Sequence, residues 1–367
     1  MVFRHVPPPI RAPHAGGRRI TMAEKTLYVA QKGNAVKWEV PQRELQPHEV
    51  RVKTVSAGIN PIDWKTIDNN LADGAGQGND FAGVVVEVGS DVKHTRVGDT
   101  VAGGVGGGNV DDTEQGAFST EIKLAEDLLF KFPAPLAAAG KDEIPAGLPT
   151  TFEQAASLGI AAVTTALAFE GHAQPAPGDY AVIYGATSSL GYYATQYARN
   201  IGYKVIAVSA PNKILADLGV EAVDRHGDWV AEVKKIAGDS VTYAFDAIAL
   251  NDSQHVVAKV LSASKPAVLA ISDPATKAAP PSNVTVINPL YFFAYQPVKK
   301  LGTAAIPDPT KTLERASGLI AEINHQFAKS EIRALPIKVL HGLESVNEGL
   351  SLNRKGVSGT KIVIDLE

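Results

Sequence analysis

The stretch Tyr180–Gly202, YAVIYGATSSLGYYATQYARNIG, decides the fold. Ala181-Val182-Ile183-Tyr184 is short, apolar and rich in β-formers. Gly185–Gly191 follows as a run of small residues. Tyr193, Tyr197 and Ile201 then recur on one helical face, with Ala194 and Ala198 beside them. Strand, small-residue turn and helix form the opening unit of a dinucleotide-binding βαβ. Gly185 permits a sharp turn, the small residues let the backbone approach a pyrophosphate, and a helix N-terminus offers free N–H groups. The spacing differs from G-x-G-x-x-G, because Ser188 stands where a central glycine could. A tight βα turn in another parallel-sheet protein is the competing reading. The candidate phosphate-binding residues are Gly185, Thr187, Ser188, Ser189, Leu190 and Gly191.

Working outward, Lys204–Val208 reads as the second strand. A NAD site carries an acid at that strand's end, for the ribose 2′-hydroxyl. Here the chain reads Ser209-Ala210-Pro211-Asn212-Lys213, without an acid. Ser209 and Asn212 can hydrogen-bond a phosphate and Lys213 can neutralise one. A 2′-phosphate fits this segment, which points to NADPH. Lys213 has a second reading, as a solvated residue in the first turn of a helix.

The chain has 367 residues, enough for two domains. Its net charge of −4 argues against a nucleic-acid binder, and no basic-aromatic stripe is present. No apolar run reads as long enough to cross a membrane. There are no cysteines, so disulfides, cysteine zinc ligands and thiol nucleophiles are excluded together. Residues 1–21 hold four arginines and no acid. They read as a disordered leader or an over-extended start, with a mitochondrial transit peptide as the alternative. The expected location is the cytoplasm.

From Thr26 to Lys123 short strands dominate, with a helix start at Asn60-Pro61-Ile62-Asp63: Asn60 at the N-cap, Pro61 at N1, Asp63 reaching back as in a capping box. Gly103–Gly108 reads as a flexible loop, Gly116–Lys123 as a strand and Thr151–Glu170 as a helix. Beyond it, strands 181–184, 204–208, 221–224, 242–248, 267–272 and 284–287 alternate with helices, as in a parallel, doubly wound sheet. The chain closes with helix, strand, helix and the strand Lys361–Leu366.

Together, Ala57-Gly-Ile-Asn60-Pro-Ile-Asp63-Trp-Lys65, Asp80-Phe-Ala-Gly-Val-Val85, Val97-Gly-Asp99, Gly116-Ala-Phe118, Gly185–Gly191 and the tail Arg354-Lys-Gly356…Gly359-Thr-Lys361 resemble the medium-chain dehydrogenases/reductases. The resemblance implies an α/β fold, with a GroES-like β-barrel catalytic domain (22–150 and 311–367) around a Rossmann domain (151–310). Zinc alcohol dehydrogenases of this superfamily have a Cys ligand and a Gly-His-Glu segment. This chain has Gly78-Asn79-Asp80 at the latter position, so no metal site is expected. It is more similar to the zinc-free quinone and enoyl reductases. Asn60-Pro-x-Asp-x-Lys65, Thr164 and Tyr184-Gly185-x-x-Ser188 resemble the trans-acting enoyl reductases of fungal polyketide synthesis.

That resemblance implies an NADPH-dependent reductase of activated C=C bonds in an enone, quinone or 2-enoyl thioester. The candidate catalytic residues are Lys65, Asn60 and Thr164. Lys65 would face the developing oxyanion; otherwise it is a surface lysine. Asn60 either orients ligand or Lys65, or only caps its helix. Thr164 stands beside nicotinamide and substrate in the family, or bonds back to its own helix. Asp246 reads as a turn cap, and Tyr291-Phe292-Phe293 with Tyr295 as a pocket wall or packing cluster. The expected partners are a small-molecule substrate and a polyketide synthase, with no nucleic acid and no membrane, in a monomer or homodimer. The competing function is a catalytically idle NADPH-binding structural or regulatory protein.

Overall fold

The computed structural model describes residues 24–250, 252–272, 281–289, 300–301, 304–305 and 309–366. The leader 1–21 and the aromatic group Tyr291–Tyr295 lie outside the described residues.

The chain opens with a hairpin, β1 (Glu24–Gln31) and β2 (Asn34–Pro41). Then come β3 (Glu49–Gly58), α1 (Pro61–Asp68), β4 (Asp80–Val88), β5 (Thr100–Gly104), β6 (Glu121–Ala125), β7 (Glu143–Ile144), α2 (Phe152–Ala155) and α3 (Gly159–Phe169). The middle supplies β8 (Tyr180–Tyr184), α4 (Ser189–Asn200), β9 (Lys204–Ser209), a 3-10 turn (Lys213–Leu218), β10 (Glu221–Asp224), α5 (Trp229–Ala237), β11 (Val241–Asp246), α6 (Ser253–Val257), β12 (Ala267–Ile271) and β13 (Val284–Ile287). The end supplies β14 (Lys300–Leu301), β15 (Ala304–Ala305), α7 (Pro309–Ala328), β16 (Ile337–His341), α8 (Val346–Arg354) and β17 (Lys361–Asp365).

Two large sheets result. The middle strands form a parallel sheet ordered β10-β9-β8-β11-β12-β13. The order reverses beside β8, and this doubly wound pattern leaves a crevice at the strands' carboxyl ends. The other sheet runs β5-β4-β3-β17-β16-β7, with β6 also on β3. The last strand, β17, therefore sits in its interior, antiparallel to β3 and parallel to β16. Both ends of the described chain build this GroES-like half, and the middle builds the Rossmann half.

One apolar cluster joins the halves. It runs from Val52 and Phe81 through Ala162 and Phe169 of α3 to Tyr193 of α4 and Phe245 of β11. Phe169 stacks on Tyr243 with ring centroids 4.4 Å apart and leans on Tyr197 at 5.3 Å. Such pairs add stabilisation beyond their buried area.

Three local expectations are corrected. Thr151–Glu170 is two helices with a break at Ala156–Leu158. Its apolar part, Phe152–Phe169, does have the length and composition of a membrane span, but 89% of it is buried inside the protein, as in a core helix. Gly103 and Gly104 belong to β5 and pair with β4. There a side chain on Gly103 would press on Leu128 O and the Phe81 ring. The strand at Gly116–Lys123 starts later, at Glu121, because Ala117 and Phe118 are tied instead to Gly78 and Gln77.

Candidate active site

β3 delivers the chain to the junction between the halves. At its end a Cβ on Gly58 would overlap Ala156 O, so glycine lets the strand meet the α2–α3 break. Asn60 then starts α1, with extended backbone, and Pro61 supplies the fixed φ suited to the first helical position. The Asp63 carboxylate reaches back to Asn60 N–H at 2.6 Å. The Asn60 side-chain oxygen accepts a hydrogen bond from Lys361 Nζ, also at 2.6 Å.

Lys65 lies in the second turn of α1, half-buried, with Nζ 6.0 Å from the Trp64 ring centroid. α1 is pinned to α8 on both sides. Trp64 Nε1 donates to Asn353 Oδ1 at 3.0 Å, and Arg354 grips Asp68 through two bonds of 2.8 and 2.9 Å. A two-bond guanidinium–carboxylate pair fixes direction as well as distance.

Behind α1 lies a buried polar cluster. Lys361 is 2% exposed, and its ammonium also meets Asp80 Oδ2 at 3.0 Å. Asp80 Oδ1 accepts from Ile160 N–H at 2.6 Å, at the start of α3. Asn79 Nδ2 donates to Asp63 Oδ1 at 2.5 Å. Burial lifts the Asp63 carboxyl from the usual 3.8 to about 7; the bonds from Asn60 and Asn79 and the Lys361 charge oppose the rise, and Asp80 adds to it. Thr164 lies one turn along α3 from Ile160. Its hydroxyl is buried and has no hydrogen-bond partner among the described residues, so the back-bonding reading does not hold.

The glycine turn after β8 is built by exclusion. Gly185 has φ +82°, and a Cβ there would overlap Ile248; one on Gly191 would overlap Gly185 O. Ile248 is held by Asp246, whose Oδ1 accepts from Ile248 and Ala249 N–H at 3.1 and 2.8 Å, which makes Asp246 a turn cap. Ser188 Oγ donates to Gly185 O at 2.8 Å and caps α4 by accepting from Gly191 N–H at 3.0 Å. The Ser189 and Leu190 N–H groups, with no intrahelical partner at a helix start, remain as donors for an anion. The turn thus fits a dinucleotide pyrophosphate. Ser209, buried at the end of β9, turns its hydroxyl to Ala210 O at 2.7 Å. Asn212 Oδ1 caps the 3-10 turn at Ile214 N–H, and Lys213 is exposed in its first residue.

The tail between α8 and β17 closes the arrangement. Gly359 N–H donates to Thr187 O at 2.9 Å, and the Ser358 and Thr187 hydroxyls meet at 3.0 Å. Gly359 has φ +69°, and a Cβ there would overlap the Asn212 amide. One short segment therefore touches both candidate nucleotide-binding elements and ends at Lys361.

Residues 46–134 match the alcohol dehydrogenase GroES-like domain. A trans-enoyl reductase of Aspergillus niger is 27% identical across 93% of this chain and 97% of its own length. An alcohol dehydrogenase superfamily protein from Novosphingobium aromaticivorans superposes with a TM-score of 0.76 at 19% identity, covering 94% of this chain and 100% of its own. A quinone oxidoreductase of Pseudomonas syringae gives 0.68 at 20% identity, covering 94% and 100%. In fold and in the sequence of its GroES-like domain, the chain is similar to the medium-chain dehydrogenases/reductases.

In this chain the position of the zinc enzymes' Gly-His-Glu segment is spent otherwise. Asn79 points an amide donor at Asp63, and Asp80 holds an ammonium. A dication would face that donor and that positive charge, so these residues do not fit zinc. The fold links Asn60, at the head of the helix that carries Lys65, through Lys361 and Asp80 to the start of the helix that carries Thr164. It places Ser209, Asn212 and Lys213 on a separate edge, at the end of β9. In the sequence Lys361 shows only as part of the tail motif, and Ser358 lies inside that motif with no signal of its own. The available signal was a lysine heading an otherwise apolar strand, Lys361-Ile-Val-Ile364.

Proposed function

We propose that this protein is an NADPH-dependent reductase of activated C=C bonds, working without zinc on an enone, quinone or 2-enoyl thioester. The observation that carries the reading is the buried Lys361–Asp80 pair. It ties α1, with Lys65 and Asn60, to the start of α3, with Thr164, at the junction next to a dinucleotide-type turn. The similarity to trans-enoyl reductases supports the substrate class. It also makes an enoyl thioester carried on a polyketide synthase the first substrate to try.

Gly185–Gly191 would hold the pyrophosphate, and Ser209, Asn212 and Lys213 the 2′-phosphate. NADPH held there would supply the hydride that the β-carbon of the double bond receives. The carbonyl oxygen gains negative charge during that transfer, and Lys65 offers an ammonium to it. A fixed cation there stabilises the transition state more than the ground state. The Thr164 hydroxyl, without a hydrogen-bond partner among the described residues, is a second donor, and the α-carbon takes its proton from Lys65 or water.

The test follows NADPH oxidation with a panel of enones, quinones and enoyl thioesters, with and without a chelator. Turnover that survives chelation is expected. Lys65→Ala should lower kcat by about 10²–10³, the usual loss for one oxyanion donor, and leave NADPH affinity unchanged. Binding of NADPH without turnover across the panel would leave an idle nucleotide-binding protein. A Lys65→Ala variant as fast as wild type would remove Lys65 from the site.

A further inference from the structure

The Asn60 carboxamide can point only one way. Lysine donates hydrogen bonds and accepts none, so the group 2.6 Å from Lys361 Nζ is the amide oxygen. The amide nitrogen then faces away from the ammonium. Its one hydrogen bond within the described structure is a long contact to Gly58 O at 3.4 Å. Asn60 is 5% exposed and sits at the head of the helix bearing Lys65. A buried side chain thus keeps N–H capacity in reserve at the junction of the two halves.

Lys361 has no freedom to do otherwise. A Cβ on Gly58 would crowd Lys361 Cε and Asp80 Cβ, and one on Gly159 would crowd Asp80 Oδ1. The two glycines let Lys361, Asp80 and the α3 start pack into contact. An ammonium bonded to an amide oxygen also draws electron density toward itself and makes the opposite N–H a stronger donor.

We propose that Lys361 is a positioning residue for the reduction: it fixes and polarises the Asn60 carboxamide so that its N–H donates to the substrate carbonyl oxygen alongside Lys65. This rests on the reductase reading above. Asn60 touches the substrate, and Lys361 acts through it.

The test uses the full chain and two variants. Asn60→Asp keeps an oxygen for Lys361 and removes the amide donor. Lys361→Met alone would strand a buried Asp80 charge, so it is combined with Asp80→Asn, removing both partners of the pair. Each protein is assayed for kcat and KM on the best substrate of the panel, for NADPH affinity by fluorescence titration, and for melting temperature. Both variants should melt cooperatively and bind NADPH as wild type does. Asn60→Asp should lose about 10²-fold in kcat, on the scale of one oxyanion donor, with KM nearly unmoved. The double variant should lose at least tenfold, because the amide is then free to rotate. Wild-type kcat in either well-folded variant overturns the proposal, as does a loss confined to NADPH affinity or KM. If the double variant does not fold, Asn60→Asp alone decides. A wild-type protein that turns over nothing fails the reductase reading instead, which is a separate outcome.

Discussion

At the residue scale, the surroundings of Asp63 pull in opposite directions. It accepts two hydrogen bonds that suit a carboxylate, yet it is fully enclosed and near Asp80. Burial dominates and raises its carboxyl from 3.8 to about 7. The sign of the pH effect follows. Between about pH 4 and pH 7 the folded protein holds this proton and the unfolded chain has released it. The Asp63 contribution is fully present below the unfolded value and is lost as pH rises through the folded one. Melting temperature should therefore carry a downward component from pH 5 to pH 8. Asp63→Asn should flatten that component while lowering stability at every pH. Its amide has one oxygen for two donors, Asn60 N–H and Asn79 Nδ2, so one bond is lost at a cost of about 1–3 kcal/mol. Thermal melts of both proteins across the range decide it; equal slopes would mean that Asp63 is ionised throughout.

At the scale of elements, the proposed preference for NADPH rests on the segment after β9. The 3-10 turn Lys213–Leu218 begins with Asn212 as its cap and leaves Lys213 exposed. A solvated ammonium beside a phosphate gains a charge-assisted contact worth about 1.5–3 kcal/mol. Lys213→Glu should accordingly weaken NADPH by roughly tenfold or more and leave NADH almost untouched, read by fluorescence titration of both. Equal losses would assign Lys213 to the shared part of the dinucleotide. Elements of this kind were legible because their signals are local: the β8 turn in its small residues, the start of α1 in Asn60-Pro61, the Asp246 cap in its place after a strand. The break between α2 and α3 was not legible. Nothing in Ala156-Ser157-Leu158 forbids a helix; the interruption goes with long-range contacts, Ile160 N–H on Asp80 and Gly159 against Gly103 O. The partners of Lys361 were hidden for the same reason, since Asn60 and Asp80 are 301 and 281 residues away along the chain.

At the scale of the whole molecule, the end of the chain holds its beginning. β17 is an interior strand, paired with β3 on one side and β16 on the other. Ile362, Val363 and Ile364 are buried, and Lys361 brings the only hydrogen bonds seen between β17 and the Asn60–Asp80 cluster among the described residues. Burying each of the three apolar side chains stabilises by about 1.5–3 kcal/mol. Their sum approaches the net stability of an ordinary domain, about 5–15 kcal/mol. Removing them also leaves Asp80 a buried unpaired charge, which costs about 3–5 kcal/mol. Stopping the chain after Gly359 should therefore abolish the cooperative melt of the GroES-like half, although only a short tail is gone. The Rossmann half draws its sheet from strands of the middle of the chain and has a second apolar cluster, built on Val182, Ile206, Val208 and Leu269. It should lose less. Circular dichroism melts combined with limited proteolysis would read this as early cleavage within residues 24–150 and later cleavage within 180–287. A truncated protein that still melted in one transition at the wild-type temperature would show that β17 adds nothing to the sheet, and the two-ended construction of this half would then be wrong.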